Sequence, residues 1–73
     1  MKRIQFIKEI QEILELEDQD LNLDTPLHIS SLGTLSLIVF IDENFDKQII
    51  ATQLRKANCI RDLIKLVGPE NFD

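Results

Sequence analysis

Between Leu32 and Phe45 the chain reads LGTLSLIVFIDENF, its most apolar stretch. A segment of this kind has to be enclosed by the rest of the protein. It falls short of the roughly 20 apolar residues that a membrane span needs. Leu32, Leu35, Leu37, Ile38, Ile41 and Phe45 recur at i+3 and i+4 and predict buried rows on a helix, while Val39 and Phe40 leave little of its middle polar. LSLIVFI, short and rich in β-branched residues, is also compatible with a strand. The DENF continuation, which sets Phe45 four residues after Ile41, favours the helix. Ser30 and Ser31 stand directly in front, and serine is a favoured N-cap because its hydroxyl accepts from an otherwise orphan backbone N–H. The helix is therefore expected to start at the serines and run to about Phe45.

The remaining elements are arranged around it. In RIQFIKEIQEILEL, Ile4, Ile7, Ile10 and Leu14 form an apolar stripe that Phe6 and Ile13 widen, with Lys8, Glu9, Glu12 and Glu15 on other faces. That is the pattern of an amphipathic first helix. EDQDLNLDTPLHI loses the period and reads as a long loop, pinned to the core by Leu21, Leu23 and Leu27. DKQIIATQLRKANC reads as a loop with one short helix, anchored by Ile49, Ile50 and Leu54. A last helix, IRDLIKLV, has Ile60, Leu63, Ile64 and Val67 on one side, Asn58 as its cap, and Gly68-Pro69 as its stop. Residues 69–73 are expected to fray. The expected fold is a small all-α bundle of three to four helices in one domain, 1–73, with a long loop between the first two helices.

Seventy-three residues are near the lower limit for a core without staples. One cysteine, Cys59, permits no intramolecular disulfide, which fits a reducing, cytoplasmic setting. Charges throughout MKRIQFIKEI leave no secretory apolar region, and no membrane insertion is expected. The net charge is −5, with 10 acids and 4 bases in residues 1–48 against 3 acids and 4 bases in residues 49–73. Nucleic acid requires a basic face, so this balance argues against it and suits basic protein partners. Acid that merely aids solubility is the plainer explanation of the same charge.

The single histidine, His28, and the single cysteine are far apart in sequence and form no metal-ligand cluster. No catalytic spacing is present, and Gly33 does not belong to a phosphate-cradling loop, so the chain is read as a non-enzyme. What remains is the hydroxyl pair. At a helix start, free N–H groups and the helix dipole favour an anion, so a phosphodiester on one serine would be well placed. A simple cap followed by a first-turn serine also explains the pair, and on the hydroxyls alone it is the better explanation.

HISSLGTLSLIVFIDENFDKQI resembles the phosphopantetheine-attachment region of acyl carrier proteins. Their usual motif is Gly-x-Asp-Ser-Leu at the start of the second helix, which closes with an acidic pair shortly before a Phe. Here Ser31-Leu32 match the Ser-Leu, and Ile41-Asp42-Glu43-Asn44-Phe45 match the helix end without a gap. The likeness continues through Ile49, Leu54, Ile60, Leu63, Ile64 and Val67 and covers nearly the whole chain. It implies an acyl-carrier-like bundle, monomeric, with 4′-phosphopantetheine attached to Ser31 by a phosphopantetheinyl transferase from coenzyme A. Acyl-loading and acyl-transferring enzymes would then be its partners. Asp42 and Glu43, with Leu32 and Val39, would meet those partners. Leu35, Val39 and Phe40 would line an acyl cavity, face a partner, or simply pack in the core.

The chain departs from the pattern at several places. Ser30 replaces the Asp before the attachment serine, and His28 stands where Gly is usual. Gly33 and Ser36 occupy positions that are often acidic, and the first loop is about three residues short. The weak acidity of the second helix suggests a specialised pathway, such as secondary-metabolite or surface-glycan modification. An alternative register on Ser36-Leu37 would require about five residues deleted inside the helix. That is about 1.4 turns, which would rotate its apolar face off the core. A carrier-like interaction module that is never modified, with Ser30-Ser31 serving only as a cap, is the alternative function. Cys59 is not the cofactor thiol and is expected to pack beside the start of the last helix.

Overall fold

The computed structural model describes residues 1–73. Four helices follow in order: α1, Arg3–Ile13; α2, Ser31–Phe45; α3, Ala51–Arg55; and α4, Ile60–Val67, closed by a 3-10 turn at Pro69–Asn71. The core is drawn from every helix. α1 contributes Phe6 and Ile10, α2 contributes Leu37 and Ile41, α3 contributes Leu54, and α4 contributes Ile60, Leu63 and Val67.

α1 is shorter than its periodic pattern. Glu15 adopts the left-handed conformation at φ 58°, its N–H donating to the Glu12 carbonyl and that of Leu16 to the Gln11 carbonyl at 2.7 Å. These two bonds form a Schellman-type stop, here without the usual glycine. The buried stripe centres on Phe6 and Ile10, and Ile4, expected in it, is exposed. A stripe drawn through Phe6 and Ile10 places Ile4 on the far side of the helix.

α2 begins and ends where the sequence predicts, but only part of the expected rows is buried. Leu32 and Leu35, expected in the buried rows, are 75% and 62% exposed. Leu37 and Ile41 are buried as expected, and Gly33 and Thr34 join them on the inward face. Thr34 can go inside because its hydroxyl donates to the Ser30 carbonyl at 2.9 Å. Gly33 lets α1 approach: a Cβ there would lie 2.9 Å from Leu14 Cδ2. Asp46, left-handed at φ 52°, closes the helix with its N–H on the Asp42 carbonyl.

Ile50, expected as an anchor, is also exposed, because it precedes α3 while Ile49 and Leu54 turn inward. Gln53 Oε1 accepts from the Ile50 N–H and steadies the start of that short helix. The residue flanking α4 is Cys59, not Asn58. The Asn58 N–H donates to Asp62 Oδ2 at 2.9 Å, so Asp62 supplies the polar closure from inside the first turn. Its carboxylate also faces the positive end of the helix dipole.

Residues 69–73 do not fray. Phe72 is buried with its ring centroid 4.9 Å from that of Phe6, and the Asp73 N–H donates to the Met1 carbonyl. One apolar side chain inserted between α1 and α2 fixes an otherwise polar tail.

The long first loop is pinned at both ends of its second half. The Leu27 N–H donates to the Asn58 carbonyl at 2.8 Å, and the Arg61 N–H donates to the Leu23 carbonyl at 2.9 Å. Arg61 also grips Asp24 with two bonds, Nε to Oδ1 at 2.8 Å and Nη2 to Oδ2 at 3.1 Å. Those bonds hold the Asp24 carboxyl below the ordinary aspartate range, and the same contact raises Arg61. A carboxylate whose folded pKa is depressed stabilises the fold above the unfolded aspartate range, and loses that contribution as pH falls through the lowered value. Both groups are exposed, so the effect is local. Acidification should reduce hydrogen-exchange protection at Leu27 and Arg61, and Arg61→Met should show reduced protection already at neutral pH. Unchanged protection in Arg61→Met would mean that the backbone bonds alone hold the loop.

Candidate functional site

The two serines at the head of α2 have separate roles. Ser30 lies outside the helix in an extended conformation and accepts from the Gly33 N–H through Oγ at 3.0 Å. Its carbonyl takes the Thr34 N–H and the Thr34 hydroxyl. Ser30 is thus committed to the cap. Ser31, the first helical residue, is exposed, and its hydroxyl has no partner. The Ser31 and Leu32 N–H groups are also unpaired, whereas those of Gly33 and Thr34 are occupied by Ser30.

Two grooves flank this point. One, of about 370 Å³, is bounded by Ser31, Ile29, Thr34, Leu35, Ala51 and Arg55. The other, of about 290 Å³, brings His28, Ser30, Leu32 and Ser36 against the end of α1 at Ile13–Glu15. Ser36 is half-buried in the body of α2, where neighbouring N–H groups are spent within the helix. It lacks the free donors that surround Ser31. A phosphodiester on Ser31 would fit: the hydroxyl is accessible, two backbone donors are free beside it, and the helix dipole favours negative charge there.

Along the outer side of α2, Leu32, Ser36, Val39 and Glu43 fall near one line at about 100° per residue, with Leu35 and Asp42 beside it. Val39 is 53% exposed, and Asp42 and Glu43 are exposed with no ion-pair partner. A shallow depression of about 420 Å³ between α1 and α2 gathers Leu35, Val39 and Phe40 between Glu9 and Glu43. Of the three residues with open roles, Leu35 and Val39 therefore face outward, and Phe40 is half-buried against Phe6 and Phe45. Cys59 is half-buried at the start of α4. No three His, Cys, Asp or Glu side chains lie close enough to hold a metal ion, and no helix is long and apolar enough to cross a membrane.

Two residues of this region carry no local signal, and a third does. Arg55 reaches the Ser31 groove only because α3 packs on α2, and Glu9 meets the outer face of α2 only because α1 does. Thr34, three residues after Ser31, could have been found from helical spacing.

The all-helical fold, with an exposed serine at the head of its second helix, is the arrangement that the resemblance to acyl carrier proteins implies. Residues 2–72 match the family model described as the C-terminal ACP (acyl carrier protein) domain of the highly reducing polyketide synthase sdgA. The chain belongs to the acyl carrier protein family, and its role is that of a carrier. No curated protein and no solved structure matches it significantly.

Proposed function

We propose that this carrier bears 4′-phosphopantetheine on Ser31 and moves thioester-linked acyl intermediates between partner enzymes of a specialised, polyketide-type pathway. The observation that carries the reading is the division of labour at the head of α2, in a chain of this family: Ser30 caps the helix, leaving Ser31 Oγ free beside unpaired donors. When attached, the arm supplies a terminal thiol on which acyl groups are held as thioesters. The chain's own residues do the rest. Ser31 Oγ would offer the nucleophile, forming the new P–O bond as the pyrophosphate of coenzyme A breaks and 3′,5′-ADP leaves, and the hydroxyl gives up its proton in that step. The Ser31 and Leu32 N–H groups face the phosphate, and the Ser30 cap keeps the first turn wound while the arm moves. The unmodified-module reading, with Ser30 as the cap and Ser31 as a first-turn residue, fits the same contacts, and the experiment below separates the two.

The deciding experiment is coexpression with a broad-specificity transferase, followed by intact-mass and tandem mass spectrometry. One phosphopantetheinyl group on Ser31 is expected. A group on Ser30 or Ser36 would overturn the register, and a chain that no transferase modifies would favour the interaction module.

The partner face is proposed to be the outer side of α2, with Leu32 and Val39 as apolar contacts and Asp42 and Glu43 as the charges that meet basic partners. Asp42→Lys with Glu43→Lys should slow association while helicity is kept. The loss should shrink in high salt, because exposed charges are screened over about 10 Å at 0.1 M. Equal association rates for mutant and parent at low salt would remove both residues from the interface.

The missing Asp gives a further test. Ser30→Asp should speed transfer of the arm onto Ser31, since it restores the family's usual carboxylate and remains an equally good cap. A slower reaction with intact helicity would show that Ser30 is matched to a dedicated transferase, or that the register is wrong.

A further inference from the structure

The groove below Ser31 contains one charged side chain. Ile29, Leu35 and Ala51 are its apolar lining, Ser31 stands at its head, and Arg55 joins it from the last residue of α3. Arg3 donates to the Asp73 carbonyl and Arg61 is held by Asp24, but Arg55, the remaining arginine, makes no hydrogen bond or ion pair. A free guanidinium beside a serine that is to carry a phosphodiester has an obvious counter-charge.

We propose that Arg55 is a positioning residue for the arm, pairing with the phosphodiester on Ser31 and turning the arm along the groove between α2 and α3. This rests on the carrier reading above. A phosphodiester keeps its negative charge throughout the neutral range, and the planar guanidinium fork matches two of its oxygens, which a lysine's point charge does not. The unpaired Ser31 and Leu32 N–H groups approach the phosphate from the helix end, and Arg55 approaches from across the groove. The methylene and amide portion of the arm is thereby directed over Ile29, Leu35 and Ala51 rather than into solvent. Because Arg55 is exposed, the hold is weakened by salt. Docking is therefore reversible, and the arm is released when the local charge is screened or when an acidic partner group takes Arg55.

The test uses parent, Arg55→Lys and Arg55→Glu chains loaded by a general transferase, with loading checked by intact mass and folding by circular dichroism. The phosphorus-31 resonance of the phosphodiester is then followed from low to high salt. In the parent it should move with salt toward the position that Arg55→Glu shows throughout, and Arg55→Lys should lie between them. The Arg55 side-chain N–H resonance of the parent should also shift on loading. Identical phosphorus positions and salt responses in loaded parent and loaded Arg55→Glu would overturn this inference alone. A parent that no transferase loads would overturn the carrier reading and this inference together. If Arg55→Glu resists loading, Arg55→Gln makes the same comparison.

Discussion

Replacing Ser31 with alanine is expected to abolish acquisition of the phosphopantetheine arm while leaving the fold intact. The Ser31 hydroxyl makes no hydrogen bond in the protein, so its removal costs no internal contact, and alanine is a better helix former than serine. Ser30→Ala should behave in the opposite way. It removes the acceptor of the Gly33 N–H and should cost about 1 kcal/mol of stability, yet leave the attachment oxygen in place. Intact mass together with thermal melts separates the two. Loss of loading with an unchanged melting midpoint is expected for Ser31→Ala, and retained loading with a lowered midpoint for Ser30→Ala. Full loading of Ser31→Ala would place the chemistry on another hydroxyl.

The largest effect on stability is expected at Phe6. Its ring is fully buried and lies 6.0 Å from Phe40, 6.2 Å from Phe45 and 4.9 Å from Phe72, centroid to centroid. It thus joins α1, both ends of the C-terminal half of α2, and the tail. Phe→Ala at a buried site costs about 3–5 kcal/mol. A chain of this length has about 4–11 kcal/mol in total, so Phe6→Ala should be marginal or unfolded at room temperature. A melting midpoint lowered by about 12 °C or more is the minimum expected. Phe45 closes the apolar row of α2 but is only half-buried, so Phe45→Ala should cost less. A midpoint for Phe6→Ala within a few degrees of the parent would mean that the cluster relaxes around the gap.

These two positions show what local sequence pattern can and cannot reveal. The serines before LGTLSLIVFIDENF mark the start of α2, because capping depends on residues three or four positions apart. Which way α2 faces is not legible there. Apolar residues occupy nearly every position of its middle, so the pattern allows several faces, and the choice depends on Gly33 admitting Leu14 and on Thr34 satisfying its own hydroxyl. The packing of the tail is hidden from local pattern for a similar reason. In PENFD the one apolar residue has its partner in Phe6, near the other end of the chain, and periodicity contains nothing about such a contact. The Asp24–Arg61 clip, 37 positions apart, and the placing of Arg55 beside Ser31 are of the same long-range kind. Local chemistry gave the attachment candidate, and tertiary packing supplied its surroundings.

The phenylalanine cluster has an optical consequence. The chain has no tryptophan or tyrosine, and its four phenylalanines, Phe6, Phe40, Phe45 and Phe72, all lie in that one cluster. Near-ultraviolet dichroism, which reports fixed packing of aromatic rings, therefore comes from a single place in the molecule. Ser31 is 9 residues along α2 from Phe40, the ring of the cluster nearest to it on that helix, about 14 Å at 1.5 Å per residue. Attachment of the arm should leave that spectrum unchanged. A partner that presses on Leu35 and Val39 also presses on Phe40, which lines the same depression, and should alter it. One spectrum thus distinguishes an event at the head of the helix from one on its outer side without any label.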